Sequence, residues 1–460
     1  MSDKPELFFN GKNAFDVMNA KEIDEAFTYA DDYKRFLDGA KTEREAVAFS
    51  ASLAEKCGFK RFDETVPLSP GDKLYRIIRG KALMLAHIGS APLEDGVNIA
   101  AAHVDSPRLD LRQLPLYEDA ELAQFKTHYY GGIKKYQWVT IPLSLHGVVI
   151  KLDGTAVPVK IGEDAGDPVF TITDLLPHLG REQAKKTLGE AFTGENLNIL
   201  VGSRPTGGEK DSDRFRLTVL EILHEKYGIA EEDFMSAELE AVPAWNARDI
   251  GFDRSMIGAY GHDDRSCAFA ALSAILDVKD PKKTVLCLLA DKEEIGSDGV
   301  SGMKSAAFER FFADICYAFR VNPRDCLSKS FCVSSDVANA FDPNFPEVSE
   351  KRNSAKLGHG IALLKHTGSG GKSGSSEACA ETIAALRRVF ASAGVLWQMG
   401  ELGKVDQGGG GTIAKYMANR DVETIDAGVP VLSMHSPFEV VSKLDCYMTY
   451  KGICAIYENM

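Results

Sequence analysis

The sequence has no uncharged apolar run long enough to cross a bilayer. It has no excess of basic residues either. Its 53 Lys and Arg face 67 Asp and Glu, and a net charge of -14 argues against nucleic acid and against anionic membrane surfaces as partners. Cysteine is sparse, and its nine copies form an odd set spread over 460 residues. That is not a disulfide framework and suits a reducing compartment. The opening MSDKPELFFNGKNAF lacks a basic stretch followed by an apolar one, so no secretory signal is visible and the expected location is the cytoplasm. Internal repeats and low-complexity segments are absent. What remains is ordinary globular usage, 44% hydrophobic and 26% charged, at a length that suggests two or three domains.

The most informative stretch is LLADKEEIGSDGVSG, from Leu288 to Gly302. The run TVLCLLA reads as a buried strand and stops at Asp291-Lys292-Glu293-Glu294, ahead of a glycine-rich turn. Carboxylates at the mouth of a buried strand are costly unless a charge compensates them. Neighbouring side chains on an extended chain point to opposite sides, so one glutamate could ligate a cation while the other holds a proton. A solvated acidic strand end is the plainer alternative.

The same pattern recurs along the chain. Residues 20–57 read as two helices, the second opened by Thr42 ahead of Glu45 in a capping box. Ile99-Ala100-Ala101-Ala102 reads as a small-residue strand ending in His103-Val104-Asp105. A histidine and an aspartate two apart share one face of a strand, so Asp105 can support the ring of His103. A lone histidine at a strand end is more often structural. From 108 to 245 the texture turns to short β-like pieces joined by Gly, Asp and Pro turns, with one helix-like segment, REQAKKTLGEAF, at 181–192. This block is expected to be a β-rich domain inserted into a catalytic α/β domain made of 1–107 and 246–460. VGSRPTGGEKDSD, 201–213, reads as an exposed loop.

After the block, Asp263 and Asp264 precede a helix, FCVSSDVANAFDPNF gives a strand ending near Asp336, and ETIDAGVPVLSMHSPFE puts His435 at a strand end. A strand, a Gly/Ser loop and a long helix follow His359, with Ser375 or Ser376 as the expected N-cap. That loop lacks the GxxxxGK[ST] spacing of a phosphate-binding loop. GKVDQGGGGTIAK is a second glycine-rich loop. His103, Asp263, Glu293/Glu294, Asp336 and His435 thus each follow, or open beside, an expected buried strand, and open α/β sheets build ligand sites beyond the carboxyl ends of their strands. Two histidines with carboxylates and no cysteine suit zinc, manganese or cobalt, and two such ions could activate water and polarise a carbonyl.

AAHVDSPRLD, YYGGI, GHDDRSCAFAAL, DKEEIGSDGVSG, SSDVANAFDPN and DAGVPVLSMHSPFE together span roughly residues 98 to 439. This set resembles the aspartyl aminopeptidase and vacuolar-type aminopeptidase I family of dinuclear zinc exopeptidases; the glutamyl and deblocking aminopeptidases share the metal scheme. The resemblance implies a mixed central sheet flanked by helices, with the inserted domain serving dimerisation or as a lid. It implies that His103 and Asp336 hold one ion, Glu294 and His435 the other, and that Asp263 bridges them. Glu293 would be the general base and acid, and Asp105 would orient His103. Asp264 would supply the second residue of a strained Asp–Asx peptide. His178 falls where the family has a histidine that reaches a neighbouring subunit's site. Peptides with a free N-terminus would be the substrates, and the assembly a homo-oligomer, a dodecamer built from dimers. The sequence departs from the family at Asn339 and Asp342, where histidines are usual, at Trp138-Val139-Thr140-Ile141, and in HTGSGGKSGSS after Lys365. These departures put a preference for acidic N-terminal residues in doubt. Two other activities compete: an N-acyl amino acid deacylase or carboxypeptidase on the same metals, and a non-catalytic assembly protein.

Overall fold

The structure, a computed structural model, describes residues 7, 9, 11–208 and 211–460. The N-terminal reading over 1–15 therefore falls partly outside the described residues, as does part of the 201–213 loop. By contacts the chain forms two units. One takes in the chain up to Asp105, with Ala247–Met434 and Glu439–Met460; the other is Ser106–Asn246 with His435–Phe438.

The first unit is built on a nine-stranded mixed sheet. Its centre is parallel: Val285–Ala290, Asn98–His103, Phe331–Ser334 and Glu423–Gly428 lie side by side, with Ala290 opposite His103 and Ser334 opposite Asp426. Their carboxyl ends therefore open on one side of the sheet. Ala82–His87 and Ile361–Leu364 flank this centre antiparallel. The central strands are continuously apolar because both faces are covered, as parallel sheets require. Val285, Cys287 and Leu289 enter one core cluster with Tyr33, Phe36, Leu272 and Ile453. Leu286, Leu288 and Ala290 enter another with Phe308, Phe311 and Met417. The two helices expected at 20–57 are Ala20–Gly39 and Glu43–Lys56. The second is capped as its sequence foretells: Thr42 Oγ1 accepts from the Glu45 amide at 3.3 Å, and Glu45 Oε2 accepts from the Thr42 amide at 3.2 Å. A smaller five-stranded sheet joins Arg248–Ile250, Met256–Ala259, Glu439–Ser442, Pro430–Leu432 and Ala338–Asn339.

The second unit carries a six-stranded antiparallel sheet of Ala156–Ile161, Leu143–Ile150, Ala237–Pro243, Arg108–Asp119, Leu122–Tyr130 and Ile199–Gly202. Its long helix is Arg214–Tyr227, which buries Phe215, Val219 and Leu223 at four-residue spacing and ends on left-handed Gly228. The helix expected at 181–192 is instead a 3-10 turn, Gln183–Lys185, and one turn of helix, Leu188–Ala191. Thr187 adopts an extended conformation and caps the second piece, which breaks the run. Among the described residues no helix is long and apolar enough to cross a membrane.

Candidate metal centre

The strand Val285–Ala290 ends at Asp291, and left-handed Lys292, φ 66°, turns the chain into the short 3-10 helix Glu293–Ile295. The turn presents two backbone amides to Asp105. Asp105 Oδ1 accepts from the Glu293 amide at 3.1 Å, and Oδ2 accepts from the Glu294 amide at 3.2 Å. On its other side, the main-chain carbonyl of Asp105 lies 3.0 Å from His103 Nδ1, with Oδ1 at 3.3 Å. The sequence suggested only the support of His103; the structure adds that Asp105 holds the turn carrying both glutamates.

With Nδ1 engaged, His103 directs Nε2 toward Asp263, whose Oδ1 lies 3.2 Å away. His103, Asp263 and Asp336 each offer a ligand atom, all within 4.8 Å of one another, a geometry open to a metal ion. Asp336 arrives two residues beyond the strand Phe331–Ser334, where the Ser335 amide donates to the Ala101 carbonyl at 2.6 Å. Asp264 follows Asp263 across a cis peptide bond and turns elsewhere: its Oδ2 accepts from the His103 amide at 3.2 Å.

The electrostatics suit a cation. Burial alone lowers the His103 pKa, but Asp105 and Asp263 reverse this and hold it well above its ordinary value. Burial raises Asp264 far above the usual carboxylate range; His103 opposes this and Asp263 adds to it. Burial, then the charge of Asp264, does the same to Asp336. Carboxylates crowded in low dielectric repel one another unless a counter-charge is supplied. One imidazole with carboxylate oxygens is a donor set that fits zinc, manganese or cobalt. The residues present therefore fit a divalent metal.

His435 lies in the segment His435–Phe438 that clusters with the second unit. Its Nδ1 sits 2.9 Å from the Gly132 carbonyl, so the GG of YYGGI helps to orient the ring. His178 is exposed, in a stretch with exposed Leu175, Leu176 and Leu179.

Two residues near Asp263 carry no signal in the sequence. Buried His262 receives the Tyr33 hydroxyl on Nδ1 at 2.7 Å and directs Nε2 to the Ile257 carbonyl at 3.1 Å. Burial pushes its pKa down to about 3, so it is neutral and locked in one tautomer. Glu439 Oε2 accepts from the Asp263 amide at 3.0 Å. The Tyr33–His262 and Glu439–Asp263 contacts join residues far apart in sequence. The glycine-rich loops also prove to be partners: Gly368–Ser369 pairs antiparallel with Gly409–Gly410, and a Cβ on Gly409 would collide with the Gly368 carbonyl.

A mixed α/β sheet that gathers a histidine and carboxylates at the ends of its parallel strands has the architecture of a metal-dependent hydrolase. The comparisons with known proteins name the family. The chain matches the aminopeptidase I zinc metalloprotease (M18) family over residues 36–457 and belongs to it. A probable M18 family aminopeptidase 1 from Clostridium acetobutylicum is 51% identical over 97% of this chain and 98% of its own. The crystal structure of an M18 family aminopeptidase from Thermotoga maritima is 43% identical and superposes with a TM-score of 0.93, covering 98% of this chain and 100% of that one. The S. cerevesiae mApe1 dodecamer shares the fold at 23% identity and a TM-score of 0.75, over 95% of this chain and 96% of that one. The protein is thus a metallo-aminopeptidase, a peptide-bond hydrolase of a zinc family, and neither the deacylase nor the non-catalytic reading is favoured.

Proposed function

We propose that the centre binds two divalent ions, zinc in the first instance with manganese or cobalt as substitutes, and releases N-terminal residues from peptides with a free α-amino group. His103 and Asp336 would hold one ion and Glu294 and His435 the other, with Asp263 shared between them. When bound, the ions would supply Lewis-acid polarisation of the scissile carbonyl and lower the pKa of a water toward neutrality. Glu293 would take a proton from the attacking water on its carboxylate and deliver it to the departing amine nitrogen. Asp105 keeps Glu293 and Glu294 in register through their amides, and its carbonyl holds the His103 tautomer that leaves Nε2 for metal. The observation that carries this reading is the His103–Asp263–Asp336 cluster, set next to a turn that Asp105 anchors.

The inserted β-rich unit, taken as 108–245, is proposed to serve dimerisation, with His178 reaching the substrate in a neighbouring subunit. The assembly would be a homo-oligomer, a dodecamer built from dimers; the S. cerevesiae mApe1 structure is a dodecamer. A cytoplasmic location is supported by nine cysteines of which none is disulfide-bonded. Asn339, Asp342 and the 366–376 loop differ from the family where substrate side chains are expected, so an acidic preference is left to measurement.

The test is hydrolysis of aminoacyl-p-nitroanilides carrying Asp, Glu, Leu, Lys or Met, after chelation and again after zinc, manganese or cobalt is added. Activity should return only with metal. Glu293→Gln should cut kcat by about 100- to 10,000-fold while both ions stay bound. Full activity in that variant would sink the assigned base, and no hydrolysis by metal-loaded wild type would sink the proposed reaction.

A further inference from the structure

We infer that Glu439 is a positioning residue for the metal centre, acting through the backbone of Asp263; this rests on Asp263 being the bridging ligand. Glu439 is 1% exposed and opens the strand Glu439–Ser442, where it stands opposite Ala259. From Ala259 the chain runs through left-handed Gly261, φ 76°, into Asp263, whose φ -81° and ψ 108° are not helical. The regular helix therefore begins only after the bend, and the Asp263 amide is one of the donors that a helix start leaves without an intrahelical acceptor. Glu439 Oε2 takes it at 3.0 Å, in a buried setting where a lost acceptor would leave the amide unpaired.

The consequence falls on the carboxylate of the same residue. Asp263 Oδ1 lies 3.2 Å from His103 Nε2 and belongs to the cluster with Asp336. Only two side-chain torsions separate that oxygen from the backbone that Glu439 fixes. The His262 ring clamps the preceding residue between Tyr33 and Ile257, and the His103 amide clamps the following one through Asp264. Glu439 completes the set by fixing Asp263 itself. A bridging ligand touches both ions, so loosening it should weaken both sites together.

A plain helix cap would predict lost stability and unchanged metal affinity. The experiment separates the two on the full-length protein. Zinc dissociation constants are measured by competition with a chelating dye, beside the thermal midpoint of the metal-free protein, for wild type, Glu439→Gln, Glu439→Leu and Glu439→Asp. Gln keeps an oxygen that can accept from the Asp263 amide and should bind zinc within about threefold of wild type. Leu removes the acceptor, and Asp withdraws it by about 1.5 Å, one carbon–carbon bond. Both should bind zinc about 10- to 100-fold more weakly at both sites. Should Leu fail to fold, Asp still decides. Wild-type affinity in Leu or Asp with only a lower midpoint would overturn the inference in favour of a cap. Weakening in Gln equal to that in Leu would overturn the hydrogen bond as the cause. Asp263→Asn is the control for the underlying reading: wild-type zinc binding in that variant would refute the ligand, a result distinct from either failure of Glu439.

Discussion

At the scale of single residues, Asp105 shows how one aspartate can organise a centre without being assigned a metal. It engages His103 through its main chain and the Glu293 and Glu294 amides through its side chain. Asp426 is the contrasting case, a buried carboxyl that the proposed chemistry does not use. It stands opposite Ser334 on neighbouring parallel strands, and it is 2% exposed. Burial pushes its carboxyl up to about 6, against the pull of the Ser334 and Thr412 hydroxyls. An unfolded aspartate titrates near ~3.9, so the folded pKa is the higher one. The neutral form is then favoured by folding, and its contribution is complete below pH ~4 and lost as pH rises through 6. Two pKa units correspond to about 3 kcal/mol. Unfolding free energies of wild type and Asp426→Asn, compared in denaturant from pH 4 to pH 8, should diverge in that sense: wild type loses ground to the variant as pH rises. A difference independent of pH would show that Asp426 is not held neutral.

At the scale of elements, legibility followed the range of the contacts. The strands Asn98–His103 and Val285–Ala290 could be read because burial on both faces demands unbroken apolar runs, and the polar residues that end them stand out. The capping box of Glu43–Lys56 is local and equally legible. Thr42→Ala should remove it and cost about 1 kcal/mol in denaturant unfolding, without changing zinc affinity; a loss below about 0.3 kcal/mol would mean the helix start is held by its tertiary packing instead. The long helix after the Gly/Ser loop was expected to start at Ser375 or Ser376, yet it spans Ala380–Ala393 with no side-chain cap. The reason is a competing bond: Ser375 Oγ accepts from the Thr367 amide at 3.0 Å and is tied into the loop. The pairing of Gly368–Ser369 with Gly409–Gly410, and the reach of Glu439 to Asp263, join segments far apart in sequence. Neither leaves a local periodicity or a cap to read. The candidate ligands are legible as residue types at or beside strand ends, whereas their roles come from resemblance and the layer behind them only from the folded structure.

At the scale of the whole molecule, the metal centre and the fold are thermodynamically linked. His103, Asp263 and Asp336 come from three separate stretches of sequence: His103 and Asp336 follow neighbouring parallel strands and Asp263 opens the helix His262–Asp277, so the cluster exists only when these segments have folded together. An ion bound there favours the folded chain over the unfolded one, which has no such site. Free metal at 100 times its dissociation constant adds about 2.7 kcal/mol per site. The opposite holds on removal. The buried carboxylates lose their counter-charge, and the direction of the Asp264 and Asp336 pKa values records the cost. Calorimetry of the chelated protein should therefore show a lower midpoint than the zinc-loaded protein, and titrating zinc back should raise it progressively as each site saturates. Two saturating steps, or one step at two ions per chain, would agree with the two-ion reading. Saturation at one ion per chain would refute the two-ion reading. An unchanged midpoint would mean that metal binding contributes nothing to folding, and the linkage argued from these three segments would fall.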